Sequence, residues 1–291
     1  MKNSKILSLV FICLLSISCS VNRIAINLVG KFIEDGATIL YTEENLSIAK
    51  SFIANNIKTL EILLSKNPDN KKINLLLCQA LCAYAVGFVE DEDTLQALKL
   101  YQRAFQHALK SLPEKLRFDE NTKLTRLEEI LKAYTKKDVP PLFWTGYSWG
   151  NLIMHNLDNP QNLLNLAKVE KIMKRVEQLN PEYNNASVYL FYGVYYCAKP
   201  VMFGGNPEKG KEYFLKCINL NGDDYLTPKV YMARYYAVQI QDRDMFVKLL
   251  TEVIDKDTIT PEYKLLNAIA KKKARFLMGK INSFFLEDIY E

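Results

Sequence analysis

Two stretches could carry chemistry. The first is "FGGNPEKGKE", in which Gly205, four residues, Gly210 and Lys211 spell the G-x-x-x-x-G-K of a phosphate-binding loop. Such a loop works because a strand delivers glycine amides to the phosphates and a Ser or Thr after the lysine holds magnesium. Here the preceding residues, "ASVYLFYGVYYCAK", read as a helix, and Glu212 stands in the hydroxyl position. A carboxylate there repels phosphate. The stretch is read instead as a turn at Pro200 and Gly204–Gly205, followed by an Asn206 N-cap and Pro207 at the first position of the next helix. No H-E-x-x-H or C-x-x-C is present, and His107 and His155 stand far apart in the chain. The reading is therefore of a chain without catalytic residues, cofactor or metal. The second stretch is aromatic. Trp144, Tyr147 and Asn151 share one helical stripe beside Trp149; Tyr189, Tyr192 and Tyr196 share another, followed by Phe203. Such stripes are either helical core or the wall of a partly wet ligand box, and both readings stand at this stage.

The elements that must position these residues are helical. "SIAKSFIANNIKTLEILLSK" spaces Ile48, Phe52, Ile57, Leu60, Leu63 and Leu64 along one face, and most apolar stretches repeat in the same way. Pro- and Gly-containing turns at 67–70, 112–115, 139–141, 180–183, 221–224 and 260–263 punctuate them. The fold class is all-α, arranged as a degenerate tetratricopeptide-type superhelix of helix hairpins. The second helix of such a hairpin carries a small residue, an aromatic four on, a small residue three further, and Pro or Gly five later. Ala97–Tyr101–Ala104 and Gly210–Phe214–Cys217–Gly222 fit this pattern, and Val169–Met173–Val176–Pro181 fits with larger side chains. Asn56–Leu60–Leu63–Pro68 and Phe246–Leu250–Val253 fit more weakly. The phases step by 41, 72, 41 and 36 residues, an irregular array.

The start of the chain reads as an export signal. "MKNSK" is basic, "ILSLVFICLLSI" is a twelve-residue apolar run too short to span a bilayer, and Ser18 precedes Cys19 as a lipoprotein signal peptidase requires. Residues 1–18 are expected as a lipoprotein signal peptide, Cys19 as the lipidated residue, 19–40 as an anchored segment and 41–291 as one helical domain. Ser20, where Asp would mark inner-membrane retention, favours the outer membrane over the inner. A net charge of +5, with bases interspersed among acids, gives no nucleic-acid footprint. Cys78 and Cys82 are expected as buried thiols, and a disulfide between Cys197 and Cys217 is left open.

Longer stretches resemble a known family, the T component of tripartite ATP-independent periplasmic (TRAP) transporters. They are 57–90, "PLFWTGYSWGNLI" at 141–153, "FGGNPEKGKEYFLKCINLN" at 203–221, "VYMARYYAVQIQDRDMFVKLLTEVI" at 230–254 and "YKLLNAIAKKKARFLMGKINSFF" at 263–285. The A-R-Y-Y-A-V and L-N-A-I-A runs are the most specific. Gly210 stands where the family commonly has Ala, and "TEENLS" replaces a more acidic segment. The resemblance implies a helical envelope lipoprotein facing the periplasm, trimeric, with a channel through each protomer, partnering a solute-binding protein that delivers a small solute to a permease. On that implication Trp144, Tyr147, Trp149, Asn151, Tyr189, Tyr192, Tyr196 and Phe203 are expected to line a passage for an organic-acid or apolar ligand. The competing expectation is an envelope-assembly scaffold with no solute.

Overall fold

Side-chain caps set where five of the helices begin. Asn45 accepts from the amides of Ser47 (3.0 Å) and Ile48 (3.3 Å), Asn70 from Ile73 (3.1 Å), Asp93 from Gln96 (2.9 Å), Asn206 from Lys209 (3.0 Å) and Asp242 from Met245 (2.8 Å). Each satisfies an amide that the first helical turn leaves without an intrahelical acceptor. The computed structural model describes residues 28–156 and 160–285; the expected signal peptide and Cys19 lie outside the described residues. The helices are α1 (28–41), α2 (Leu46–Lys66), α3 (Lys71–Phe88), α4 (Thr94–Ser111), α5 (Leu124–Lys132), α6 (Val139–Met154), α7 (Pro160–Leu179), α8 (Tyr183–Ala198), α9 (Pro207–Asn221), α10 (starting at Thr227–Tyr231), α11 (Arg243–Asp255) and α12 (Lys264–Gly279). No strand occurs among the described residues.

The helices form hairpins, α3 with α4, α6 with α7, α8 with α9, and α10 with α11. This is the expected helix-hairpin superhelix. The small–aromatic–small residues sit where the helices of a hairpin meet: Ala97, Tyr101 and Ala104 are fully buried on α4, as are Phe214 and Cys217 on α9. On α8 and α9 the approach is very close. A Cβ on Gly193 would lie 2.3–2.6 Å from three ring atoms of Phe214, and one on Gly210 would lie 2.4 Å from the Cys197 sulfur. The 72-residue step between α4 and α7 has a structural reason. The connection carries the extra helix α5, which packs Leu127 and Leu131 into the core beside α7. The boundary expected at 41 falls on the last residue of α1. That helix packs Ile33 and Leu40 against the α2–α3 core.

The array does not stay open. Leu265 of α12 is buried in the same apolar cluster as α2, α3 and α4. Ile269 reaches to 3.1 Å from the position a Cβ would take on Gly87. Ion pairs cross the same junction: Lys264–Glu44 (2.9 Å), Lys272–Glu92 (3.2 Å), Lys273–Glu90 (2.8 Å), Lys273–Asp91 (2.7 Å) and Arg234–Asp91 (3.2 Å). The last helices thus return to the first, and the concave side of the superhelix becomes an internal chamber.

The candidate functional site is a chamber with one polar end

The chamber has a volume of about 690 Å³ and is lined by α1, α2, α3, α6, α8, α10 and α12, with Leu166 from α7. The remaining helices α4, α5, α9 and α11 form the outer layer. Most of the wall is apolar or aromatic, including Phe52, Leu76, Val86, Phe191 and Ile269. Such a volume falls in the range of small-molecule sites, roughly 300–1,000 Å³.

The charged groups of the wall, Glu34 of α1 apart, gather at the closing junction. Glu90 accepts from Lys273, from the Tyr101 hydroxyl (2.5 Å), and faces His155 Nε2 at 3.5 Å. Burial alone would raise its pKa. The charge of Lys273, with hydrogen bonds from His155, Lys273 and Tyr101, overrides that and brings it down to about 2. Glu90 is therefore a fixed anion at neutral pH, a counter-ion and not a proton donor. Tyr101 also stacks on His155, with ring centroids 5.4 Å apart. Arg234 gives Nη1 to Asp91 and lies over the Tyr235 ring at 5.5 Å. Burial above all, with the Glu90 carboxylate adding to it, pushes the Tyr147, Tyr231 and Tyr235 phenols up. All three residues line the chamber, and their hydroxyls stay protonated as neutral donors. A group with acceptor oxygens would meet convergent donors here, and an apolar body would meet the rest of the wall.

Two backbone irregularities shape this wall. Residues Met232–Ala237 form a π-helical run within α10, a wider turn that carries Arg234 and Tyr235. At the start of α8, Asn184, Asn185 and Ala186 all have left-handed φ of 54–55°. That conformation costs about 1–2 kcal/mol per L-residue. The Asn185 carbonyl accepts from Asn221 Nδ2 at 3.0 Å and from the Cys217 thiol at 3.6 Å, which ties the turn to α9.

The sequence-expected site residues divide. Trp144, Tyr147 and Asn151 line the chamber, and Trp144 Nε1 donates to the Tyr183 hydroxyl at 3.1 Å. Trp149 does not line it; it stacks on Phe105 at 4.9 Å and is buried in the core. Tyr189, Tyr192 and Tyr196 face the other way and stack on Tyr213 of α9, at 6.0, 4.9 and 5.7 Å. The chamber face of α8 is carried by Leu190, Phe191, Val194 and Tyr195 instead. The side chain of Phe203 lies outside the described residues. Sequence reasoning did not single out Glu90, Arg234, Tyr231, Tyr235 or Lys273 as site residues. Arg234 and Tyr235 fall in the A-R-Y-Y-A-V run that carried the family resemblance, and Lys273 in a basic stretch interspersed with acids. Cys197 and Cys217 are free and bond separate partners, the Pro207 and Asn185 carbonyls, so the disulfide left open is not formed. The phosphate-loop look-alike lies between two helices, as read. A Cβ on Gly205 would fall 1.7 Å from the Lys199 carbonyl oxygen, which accounts for its glycine by close backbone approach.

Fold and site together define an all-α helix-hairpin superhelix closed around an internal chamber. The chain belongs to the TRAP transporter T-component family (TAtT), whose model matches residues 42–285. It is thereby an accessory component of a TRAP-type transport system. It is similar to an uncharacterized protein of Treponema pallidum (strain Nichols), 26% identical over 319 aligned positions that cover 94% of this chain and 95% of that protein. No helix among the described residues is long and apolar enough to cross a membrane.

Proposed function

We propose that this chain is a non-enzymatic component of a TRAP-type uptake system, docking a solute-binding protein and holding in its chamber a largely apolar ligand with a polar head. The observation that carries this reading is the chamber itself, about 690 Å³, with donors gathered at Arg234, Tyr147, Tyr231 and Tyr235. A solid helical scaffold has no physical need for such a void, since the lost packing destabilises it. In this reading Trp144, Tyr147 and Asn151 are ligand contacts, Cys19 is the membrane tether, and the protein faces the periplasm, with the outer membrane favoured. The association into trimers belongs to the same proposal.

Native mass spectrometry of protein from envelope extracts tests the ligand. The expected result is a bound small molecule, lost or reduced at least tenfold in Trp144→Ala and in Arg234→Gln. Crosslinking in envelopes is expected to recover a periplasmic solute-binding protein, and Cys19→Ser is expected to release the chain from membranes. The packed Tyr189–Tyr192–Tyr196–Tyr213 stack favours the second reading, an envelope scaffold without solute. Absence of any ligand in both wild type and variants would select it.

A further inference from the structure

We propose that the junction between α12 and the α2–α3 hairpin is the gate of the chamber, through which ligand enters sideways when the two ends of the superhelix part. This rests on the ligand-holding reading above. Successive helices of the array are joined by covalent turns, but this junction joins residues about 180 positions apart with no covalent link, as in Lys273–Asp91. Its apolar part is small, Leu265 on the α2–α4 cluster and Ile269 against Gly87. The rest is ionic. In the Lys264–Glu44 and Lys272–Glu92 pairs the carboxylates are exposed and the lysines about one-third exposed, and such surface pairs are individually weak and screened by salt. The Lys273–Glu90–Asp91 group is buried, so its attraction is largely offset by the lost hydration of three charges. A water-sized void of about 10 Å³ lies beside this group, against Leu277, so the packing there is incomplete. Glu90, Arg234 and Lys273 line both the void and the chamber. Parting the junction therefore exposes the chamber directly, without unfolding a hairpin.

The test uses pairs that do not line the chamber. Glu44→Lys with Glu92→Lys places like charges opposite Lys264 and Lys272. Adding Lys264→Glu and Lys272→Glu restores attraction with reversed polarity. Release of the apolar fluorophore N-phenyl-1-naphthylamine is followed by stopped flow, and amide hydrogen exchange is followed over 87–92 and 264–273. Release and junction exchange are expected to quicken about tenfold in the double variant and return to near wild type in the quadruple variant. About 1 M salt should quicken the wild type in the same direction. Release and exchange unchanged in the folded double variant would overturn the gate. So would faster release from Ile33→Ala in α1 with no effect of the charge reversals, because the opening would then lie under α1. If no variant holds the fluorophore, the ligand-holding reading fails, and junction exchange alone still decides whether the ends part.

Discussion

Replacing Lys273 by Met removes one charge from a group in which Lys273, Glu90 and Asp91 are 7%, 9% and 6% exposed. The Met side chain keeps much of the packed stem but leaves two buried carboxylates, with only Arg234 as a close cation for Asp91. Two routes give the magnitude. Holding a carboxyl at about 2 against its ordinary 4.5, as at Glu90, corresponds to roughly 3 kcal/mol of differential stabilisation. Breaking a buried ion pair by deleting one partner costs about 3–5 kcal/mol in other proteins. The expected loss is therefore about 3–4 kcal/mol at pH 7, read from urea titrations with the unfolding slope checked against wild type. The pH dependence has a defined sign. Glu90 is depressed on folding, so its contribution is complete above about 4.5 and is lost as pH falls toward about 2. Lys273→Met should remove that acid-sensitive limb. The triple variant Lys273→Met, Glu90→Gln, Asp91→Asn should recover most of the loss at pH 7, since no uncompensated carboxylate remains. A Lys273→Met protein within about 1 kcal/mol of wild type at pH 7 would refute the reasoning, because the group would then be hydrated and not buried.

Three further outcomes follow from the packing. Gly193→Ala should destabilise by about 1–3 kcal/mol in thermal or urea unfolding, because its Cβ meets the Phe214 ring, and Phe214→Leu should relieve part of the loss. Burial first, then Lys110 and Arg103, lowers His107 to about 4, while its Nδ1 faces Asn74 Oδ1 at 2.8 Å. Its protonation opposes folding, so wild-type stability should fall as pH drops from about 6.5 toward 4, and His107→Gln should flatten that window. Cys197 and Cys217, both raised to about 12 chiefly by burial, should be alkylated only after unfolding, and intact-mass analysis should find neither in a disulfide.

Local features were legible in the sequence because they are local physics. Asn206 and the Pro–Gly turns act on amides within a few residues, and the small residues Ala97, Ala104 and Gly210 report hairpin contact at fixed offsets. Trp144, Tyr147 and Asn151 were legible as one face of α6. The direction of α8 was not. That helix is apolar nearly all round, so the tyrosine stripe gave no sign of whether it faced α9 or the interior. The polar end of the chamber was not legible either. Glu90 and Lys273 are 183 residues apart, and each looks like a solvated charge until the superhelix closes. The π-helical run of α10 leaves no compositional mark, and the Asn184–Asn185 pair, a residue type that tolerates left-handed φ, is the one trace of the turn at Asn184–Ala186.

The placing of the two tryptophans gives this protein a built-in optical gauge. One indole, at Trp144, borders the interior space through its bond to Tyr183, while the other, at Trp149, is sealed against Phe105. A Trp149→Phe protein would emit from the interior indole alone. Its spectrum would then register what fills that space, in unlabelled material and in real time.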